Sequence, residues 1–122
     1  MTTILLVEDD KNQRLLYERE LRQEGYEILA AIDGKDALEK VQEQLPDVVV
    51  MDINMPRMDG IEAMCKILCK NKNVSIIINS AYSNYKDNFM SWAADAYIVK
   101  SSDLTELKTK IKELLIFETQ KN

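Results

Sequence analysis

The sequence predicts a parallel α/β domain, because short runs rich in Ile and Val alternate with longer stretches of helical periodicity. The β-rich runs are mostly unbroken rather than alternately apolar and polar, as in strands that a parallel sheet buries on both faces. A chain of 122 residues has the size of one domain. We therefore expect residues 1–122 to form a single domain with five parallel strands and helices on both faces of the sheet.

Five segments are predicted as strands from their content of β-branched and apolar residues. In chain order they are Thr3–Glu8, Tyr26–Ala31, Asp47–Asp52, Val74–Asn79 and Ala96–Val99. Open sheets of this kind place their sites outside the carboxyl ends of the strands. Residues that follow these five segments are therefore the candidates for function.

Apolar residues repeat at helical spacing between and after the predicted strands. The first helix runs from Lys11 to Glu24 and ends before Gly25, a residue suited to a helix terminus. The buried positions predicted for the five helices are, in order, Leu16, Tyr17 and Leu21; Leu38, Val41 and Leu45; Ile61, Met64, Cys65 and Leu68; Tyr85, Phe89 and Trp92; and Leu104, Leu107, Ile111 and Leu114. Helix-capping aspartates are predicted at Asp10, Asp33, Asp59 and Asp103.

Composition excludes several classes of function. The net charge of −5 and the pI near 4.8 repel a phosphate backbone, so direct binding to nucleic acid is not expected. The chain contains no histidine, which excludes Ser-His-Asp catalysis and histidine-ligated zinc. The apolar runs are far shorter than the roughly 20 residues of a membrane-spanning helix. With no secretory signal pattern and two cysteines interpreted as reduced thiols, we expect a cytoplasmic protein.

Acidic residues close two of the predicted strands. Glu8, Asp9 and Asp10 follow one another at the end of the first strand, and Asp52 ends the third. Asp10 is interpreted as the cap of the first helix. The others are candidates for one cluster, and hard oxygen ligands without histidine suit Mg²⁺, with Mn²⁺ as an alternative. Taken singly, any of these acids could instead be a solvated loop residue.

A hydroxyl and an ammonium group follow two further strands. Ser80 comes after the fourth strand and Lys100 after the fifth. Alone, Ser80 could be a turn residue and Lys100 a salt-bridging lysine. Together they are the donors that a transferred phosphoryl group needs on the oxygens not bound to a metal. An aspartate flanked by both, Asp52, is therefore a candidate phosphate acceptor.

In these residues the sequence resembles the receiver domains of response regulators in two-component signalling. The resemblance covers essentially the whole chain and is carried by four segments: Ile4–Asp10, Pro46–Gly60, Ser80–Ala81 and Tyr97–Lys100. It implies a doubly wound fold with strand order 2-1-3-4-5 and transfer of a phosphoryl group from a partner histidine to an aspartate. The sequence departs from the family at Ser101, where a proline usually follows the lysine.

The resemblance implies a role for each matching residue near the acceptor. Asp52 matches the phospho-acceptor, Asp9 a direct Mg²⁺ ligand and Glu8 a ligand that acts through water. Asn54 matches the position whose backbone carbonyl binds the metal. Asn54 and Tyr82 also flank the expected phosphoryl position, where substitutions are expected to change the rate of hydrolysis more than stability.

The remaining matches concern the response to phosphorylation. Ser80 matches the switch hydroxyl, Lys100 the lysine that pairs with phosphate, and Tyr97 the aromatic residue that changes rotamer. The small Ala81 leaves the phosphoryl group accessible to a donor or to water. The implied output is a change in the surface of the fourth helix, fifth strand and fifth helix.

The resulting hypothesis is a phospho-accepting receiver rather than an enzyme acting on other substrates. Its expected partners are a histidine kinase or a histidine phosphotransfer protein, and a downstream protein or output domain. One alternative is a binding module of the same fold that works without phosphorylation, although Asp9, Asp52, Ser80 and Lys100 are all retained. A Mg²⁺-dependent phosphatase is a further alternative, but Asn54 stands where such enzymes need a second acid. Flavodoxin-like cofactor binding is disfavoured by the acids after the first strand.

Overall fold

A computed structural model describes residues 2–52, 74–81, 94–101 and 103–121 of the chain. In this part of the chain, five strands and three helices follow one another. The strands are β1 (Thr3–Val7), β2 (Glu27–Ala31), β3 (Val48–Met51), β4 (Ser75–Ser80) and β5 (Ala96–Val99), and the helices are α1 (Lys11–Gln23), α2 (Gly34–Glu43) and α3 (Thr105–Lys121). The five predicted strands are confirmed to within one residue at each end.

The strands form a single parallel sheet in the order β2-β1-β3-β4-β5. Every neighbouring pair is parallel, with registers such as Leu5 opposite Val49 and Ile78 opposite Tyr97. Helices cover both faces: α2 packs on one, while α1 and α3 pack on the other. The predicted doubly wound fold and its strand order are therefore confirmed.

Successive residues of each strand face opposite sides of the sheet, so each strand contributes to two cores. On the side of α2, strand residues such as Leu5 and Val49 pack with Ala37 and Val41. On the other side, residues such as Ile4 pack with Tyr17 and Leu21 of α1, with Leu107 and Ile111 of α3, and with Leu104 just before α3. Burial on both faces explains why the strand sequences are continuous apolar runs.

Within the part of the chain that the structure describes, two apolar residues predicted to be buried are exposed. Leu16 of α1 is 44% exposed, because the buried stripe of that helix passes through Tyr17 and Leu21 one position away. Leu45 is 53% exposed, because α2 ends at Glu43 and the residue is no longer on the helix. The predicted third and fourth helices, with Asp59, lie outside the described residues.

The predicted helix caps are seen at three positions. Asp10 accepts hydrogen bonds from the backbone N–H groups of Asn12 and Gln13, and Asp33 accepts one from Asp36. Asp103 accepts one from the N–H of Thr105. These carboxylates satisfy donors that a helix start leaves without an internal partner. The far end of α1 is closed at Gly25, whose φ of 94° is readily adopted only by glycine.

Two aspartates at the amino edge of the sheet, opposite the expected site, each form hydrogen bonds to a neighbouring strand. Asp47, just before β3, donates its N–H to the carbonyl of Thr3 at 2.8 Å, and its carboxylate accepts from the N–H of Thr3 at 2.8 Å. Asp95, just before β5, makes the same reciprocal pair with Ile76, again at 2.8 Å in both directions. Each aspartate thereby fixes the register of two neighbouring parallel strands.

We expect Asp47→Ala to lower the free energy of unfolding by about 1–2 kcal/mol, because the N–H of Thr3 loses its acceptor at a partly buried position. Urea unfolding followed by circular dichroism measures this change. Asp47→Asn is the matched control, since it keeps an acceptor oxygen and should lose less stability. Equal unfolding midpoints for the wild type and Asp47→Ala would contradict the stabilising role of the hydrogen bonds between Asp47 and Thr3.

Candidate functional site

The candidate site lies at the carboxyl edge of the sheet, where four strands end in polar residues. Glu8 follows β1, Asp52 follows β3, Ser80 is the last residue of β4, and Lys100 follows β5. The backbone ladder continues through them: Asp52 N–H donates to the Val7 carbonyl at 2.9 Å, and Lys100 N–H donates to the Ser80 carbonyl at 2.7 Å. The sheet therefore fixes the backbone position of these residues.

Three carboxylates form an acidic cluster. Glu8, Asp9 and Asp52 each place one oxygen within 4.8 Å of the others. Glu8 is buried, Asp52 is partly buried, and Asp9 is exposed, so the cluster opens to solvent on one side. Converging carboxylates repel one another, and an oxygen-only donor set with open access fits a hard divalent cation such as Mg²⁺.

Lys100 lies against this cluster. Its Nζ is 3.0 Å from Oδ2 of Asp52 and 3.1 Å from Oε2 of Glu8, although Ser101 stands in place of the usual proline. The Lys100 and Asp52 side chains are only 15% and 9% exposed, so solvent screens their ion pair weakly. The ammonium offsets part of the negative charge that the three acids concentrate at this edge.

Burial and neighbouring charge change the protonation of two groups. Burial, together with the hydrogen bond and the negative charge of Asp52, raises the pKa of Glu8 to about 7, although Lys100 acts in the opposite direction. Burial alone would lower the pKa of Lys100, but the hydrogen bonds and charges of Asp52 and Glu8 outweigh it and raise that pKa. Lys100 is therefore cationic at neutral pH, whereas Glu8 titrates there.

The first turn of α1 also contacts the site. Gln13 accepts a hydrogen bond from Lys100 Nζ at 2.6 Å, and Arg14 Nη1 donates to the backbone carbonyl of Glu8 at 2.9 Å. Neither residue was predicted from the sequence, where the first helix was identified by its apolar stripe and its Asp10 cap. The available signal was the Asp10 cap, which places the following turn over the acidic edge.

The other predicted site residues occupy different depths. Ser80 is 1% exposed at the end of β4, and Ala81 follows it as an exposed residue. Tyr97 of β5 is 7% exposed and belongs to the core on the side of α2. Asn54 and Tyr82 lie outside the described residues. The structure thus brings Glu8, Asp9, Asp52 and Lys100 together. Ser80 is linked to Lys100 through the backbone, because its carbonyl accepts a hydrogen bond from the N–H of Lys100.

Comparison with known protein families shows which family the domain belongs to. The sequence model of the response regulator receiver domain matches residues 4–112. The chain belongs to this family. It is a receiver domain of the two-component response regulators, and such domains generally serve in signalling. Among the described residues, no helix has the length and apolar character needed to cross a bilayer.

Individual relatives of this receiver domain include a longer regulator and a protein of similar length. Response regulator ArlR of Staphylococcus saprophyticus is 37% identical over 124 positions, which cover 100% of this chain and 56% of ArlR. The chain spans about half the length of the curated relatives it matches. The crystal structure of response regulator TrrA from Thermotoga maritima with Mg²⁺-BeF is 46% identical with a TM-score of 0.86, covering 93% of this chain and 99% of that chain.

TrrA is also known in a complex. A crystal structure holds the histidine kinase ThkA together with TrrA, and there the match has 46% identity and a TM-score of 0.84 over 94% of this chain and 99% of that chain. The match in fold places this receiver domain in the same structural group as TrrA.

Proposed function

We propose that this receiver domain accepts a phosphoryl group on Asp52 from a phosphohistidine of a histidine kinase or a histidine phosphotransfer protein. One observation carries the proposal: the Asp52 carboxylate lies in a three-acid cluster and also 3.0 Å from the ammonium of Lys100. A nucleophile, a cation site and a fixed positive charge are thereby combined. The complexes of TrrA with Mg²⁺-BeF and with ThkA support the same function.

In the proposed transfer, one carboxylate oxygen of Asp52 forms a bond to phosphorus. The bond between phosphorus and the donor imidazole nitrogen breaks, and its electron pair leaves with the imidazole. Lys100 keeps its proton throughout, because its pKa is raised, and it pairs with the oxygens that become charged. Ser80 supplies a hydroxyl donor, and the small Ala81 leaves access for the phosphoryl donor.

Glu8, Asp9 and Asp52 are the residues that would hold Mg²⁺, with Glu8 acting through water and the backbone carbonyl of Asn54 as a further ligand. Mn²⁺ is an alternative occupant, because it accepts the same oxygen donors. When bound, the ion supplies positive charge to the attacking and transferred oxygens.

Phosphorylation is proposed to reach a partner through Ser80 and Tyr97. A phosphoryl group at Asp52 adds charge that the Ser80 hydroxyl can approach, and this movement would free space for Tyr97 to change rotamer. Tyr97 is buried at present, so such a change alters the surface near β5 and the helices beside it. The receiver would signal in this way to a downstream protein or an output domain.

The proposal extends to the organisation of the protein. Residues 1–122 form one receiver domain, which catalyses only its own phosphorylation and dephosphorylation and does not itself bind nucleic acid or membrane. Its two cysteines suit the reducing conditions of the cytoplasm. The longer relatives support a role for an output partner, since this chain spans only part of their length.

Intact mass spectrometry after incubation with acetyl phosphate tests the proposal. We expect wild-type protein to gain the mass of one phosphoryl group with Mg²⁺ and none without it, because Asp52 needs charge compensation to attack phosphorus. Asp52→Asn should gain no mass. Asp47→Asn is the matched control, since Asp47 lies at the opposite end of the same strand, and it should react like the wild type.

Two results would contradict the proposal. An adduct on Asp52→Asn at the wild-type level would place the acceptor elsewhere. The absence of an adduct under every condition would instead favour a binding module that works without phosphorylation.

A further inference from the structure

The side chain of Gln13 contacts the proposed phosphate-pairing lysine from outside the acidic cluster. Its Oε1 lies 2.6 Å from Nζ of Lys100. The atom facing the lysine must be the amide oxygen, because an ammonium group has donors only. A hydrogen bond with one charged partner is stronger than one between neutral groups. This contact is therefore specific in both chemistry and direction.

Gln13 is itself held by local structure. Its backbone N–H donates to the Asp10 carboxylate at 3.1 Å, as part of the cap of α1. The helix is anchored further along by the buried side chains of Tyr17 and Leu21. A residue of one rigid element thereby reaches across to the end of another, β5, and fixes the tip of a long side chain.

Three side chains accept from the ammonium of Lys100: Asp52 at 3.0 Å, Glu8 through its two oxygens at 3.1 and 3.3 Å, and Gln13 at 2.6 Å. The two carboxylates belong to the cluster that would bind the metal and the phosphoryl group, so their charge and their partners change during the reaction. Gln13 is neutral and takes no part in that cluster. It is the acceptor that can keep hold of Lys100 while the other two change.

We propose that Gln13 is a positioning residue for Lys100, and that it orients the ammonium toward the Asp52 carboxylate without cancelling its charge. The proposal rests on the function proposed above and adds to it a residue of α1. A carboxylate at position 13 would also hold the lysine but would neutralise part of its charge. The amide supplies an acceptor and leaves the full positive charge for the transferred oxygens.

The first test measures directly how firmly the ammonium group of Lys100 is held. ¹H–¹⁵N spectra of lysine ammonium groups should show a sharp Lys100 signal with slow proton exchange in the wild type. Gln13→Met keeps the length of the side chain but has no oxygen, so the signal should broaden. Gln13→Glu keeps an acceptor of equal reach and should keep the signal sharp. Gln23→Met, the same substitution at the far exposed end of α1, is the control and should change nothing.

The second test measures the rate of phosphorylation. Gln13→Met should slow phosphorylation by acetyl phosphate by about three- to tenfold, the range expected for loss of one hydrogen bond to a partly exposed charged group. In a Lys100→Met background, adding Gln13→Met should have no further effect on the rate. Gln23→Met should react like the wild type.

The outcomes separate this inference from the proposed function. If the wild type is never phosphorylated but Lys100 becomes mobile only in Gln13→Met, the function fails and the positioning contact stands. If the Lys100 signal and the rate are unchanged in Gln13→Met, the positioning role is wrong. It is also wrong if Gln13→Glu loses the signal, or if Gln13→Met slows the reaction as much without Lys100 as with it.

Discussion

Lys100→Met should lower the free energy of unfolding by about 3 kcal/mol at pH 8, because it leaves two partly or fully buried carboxylates without their cation. Glu8 is 1% exposed, and both Glu8 and Asp52 lie within about 3 Å of the Lys100 ammonium. Methionine has a similar length, so the loss of charge dominates over any loss of packing. Urea unfolding at constant ionic strength measures the change.

The same variant should lose less stability at pH 5. In the folded wild type the pKa of Glu8 is about 7, above its ordinary value of 4.5, so the folded state holds this proton more tightly than the unfolded chain. The stability that protonated Glu8 contributes is therefore fully present below about pH 4.5 and is lost as the pH rises toward 7. Removing Lys100 takes away a charge that lowers this pKa, so the variant should lose stability more steeply between pH 5 and 8.

Lys108→Met is the matched control. Lys108 pairs with Glu20 at 3.3 Å, but both side chains are much more exposed than those of the site. Such a pair contributes about 1 kcal/mol or less. If Lys100→Met and Lys108→Met cost the same at both pH values, the ion pairs of Lys100 do not stabilise the fold as inferred.

The fold could be predicted because the local sequence indicates both the strands and the residues that begin and end each element. Runs such as Val48–Met51 are apolar on both faces, which occurs when helices cover a parallel sheet on both sides. The two errors, Leu16 and Leu45, came from periodicity alone. A spacing of three or four residues identifies a stripe, but it cannot tell which of two adjacent apolar residues faces the core, or where the helix has already ended.

The charged part of the site could be predicted because parallel strands bring their carboxyl ends to one edge. Glu8, Asp52 and Lys100 each follow an apolar run directly, so the fold itself implies their proximity. Gln13 could not be found in this way, since a glutamine in the first turn of a helix is usually solvated. Its partner lies 87 residues away in the sequence, and only the fold brings the two side chains together.

The raised pKa of Glu8 could not be predicted from the sequence either. A glutamate after a strand can be open to water or buried, and the choice depends on how the neighbouring loops cover it. Here the residue is buried beside Asp52, and these two facts together raise its pKa. The direction follows from elementary electrostatics once the burial is known, but the burial is a property of the whole fold.

The affinity for Mg²⁺ should rise by about tenfold between pH 6 and pH 8, because a proton and the cation compete for the acidic cluster at Glu8. Glu8 is the group whose pKa, about 7, falls inside this range. Below pH 7 its protonated form weakens the negative potential of the cluster, and above pH 7 the carboxylate is fully available. Isothermal titration calorimetry in buffers of different ionisation enthalpy measures both the affinity and the protons released.

The variant Glu8→Gln tests whether Glu8 is responsible for this pH dependence. The amide keeps the size of the side chain and cannot ionise, so the affinity for Mg²⁺ should become nearly independent of pH between 6 and 8, at a value no tighter than that of the wild type at pH 6. Proton release near pH 6, about one proton per ion in the wild type, should disappear in the variant. If Glu8→Gln keeps the pH dependence of the wild type, Glu8 is not the group that links metal affinity to pH. Burial of Glu8 would then not control the charge of the cluster, whereas loss of the dependence would make this buried carboxylate the group that links metal affinity to pH.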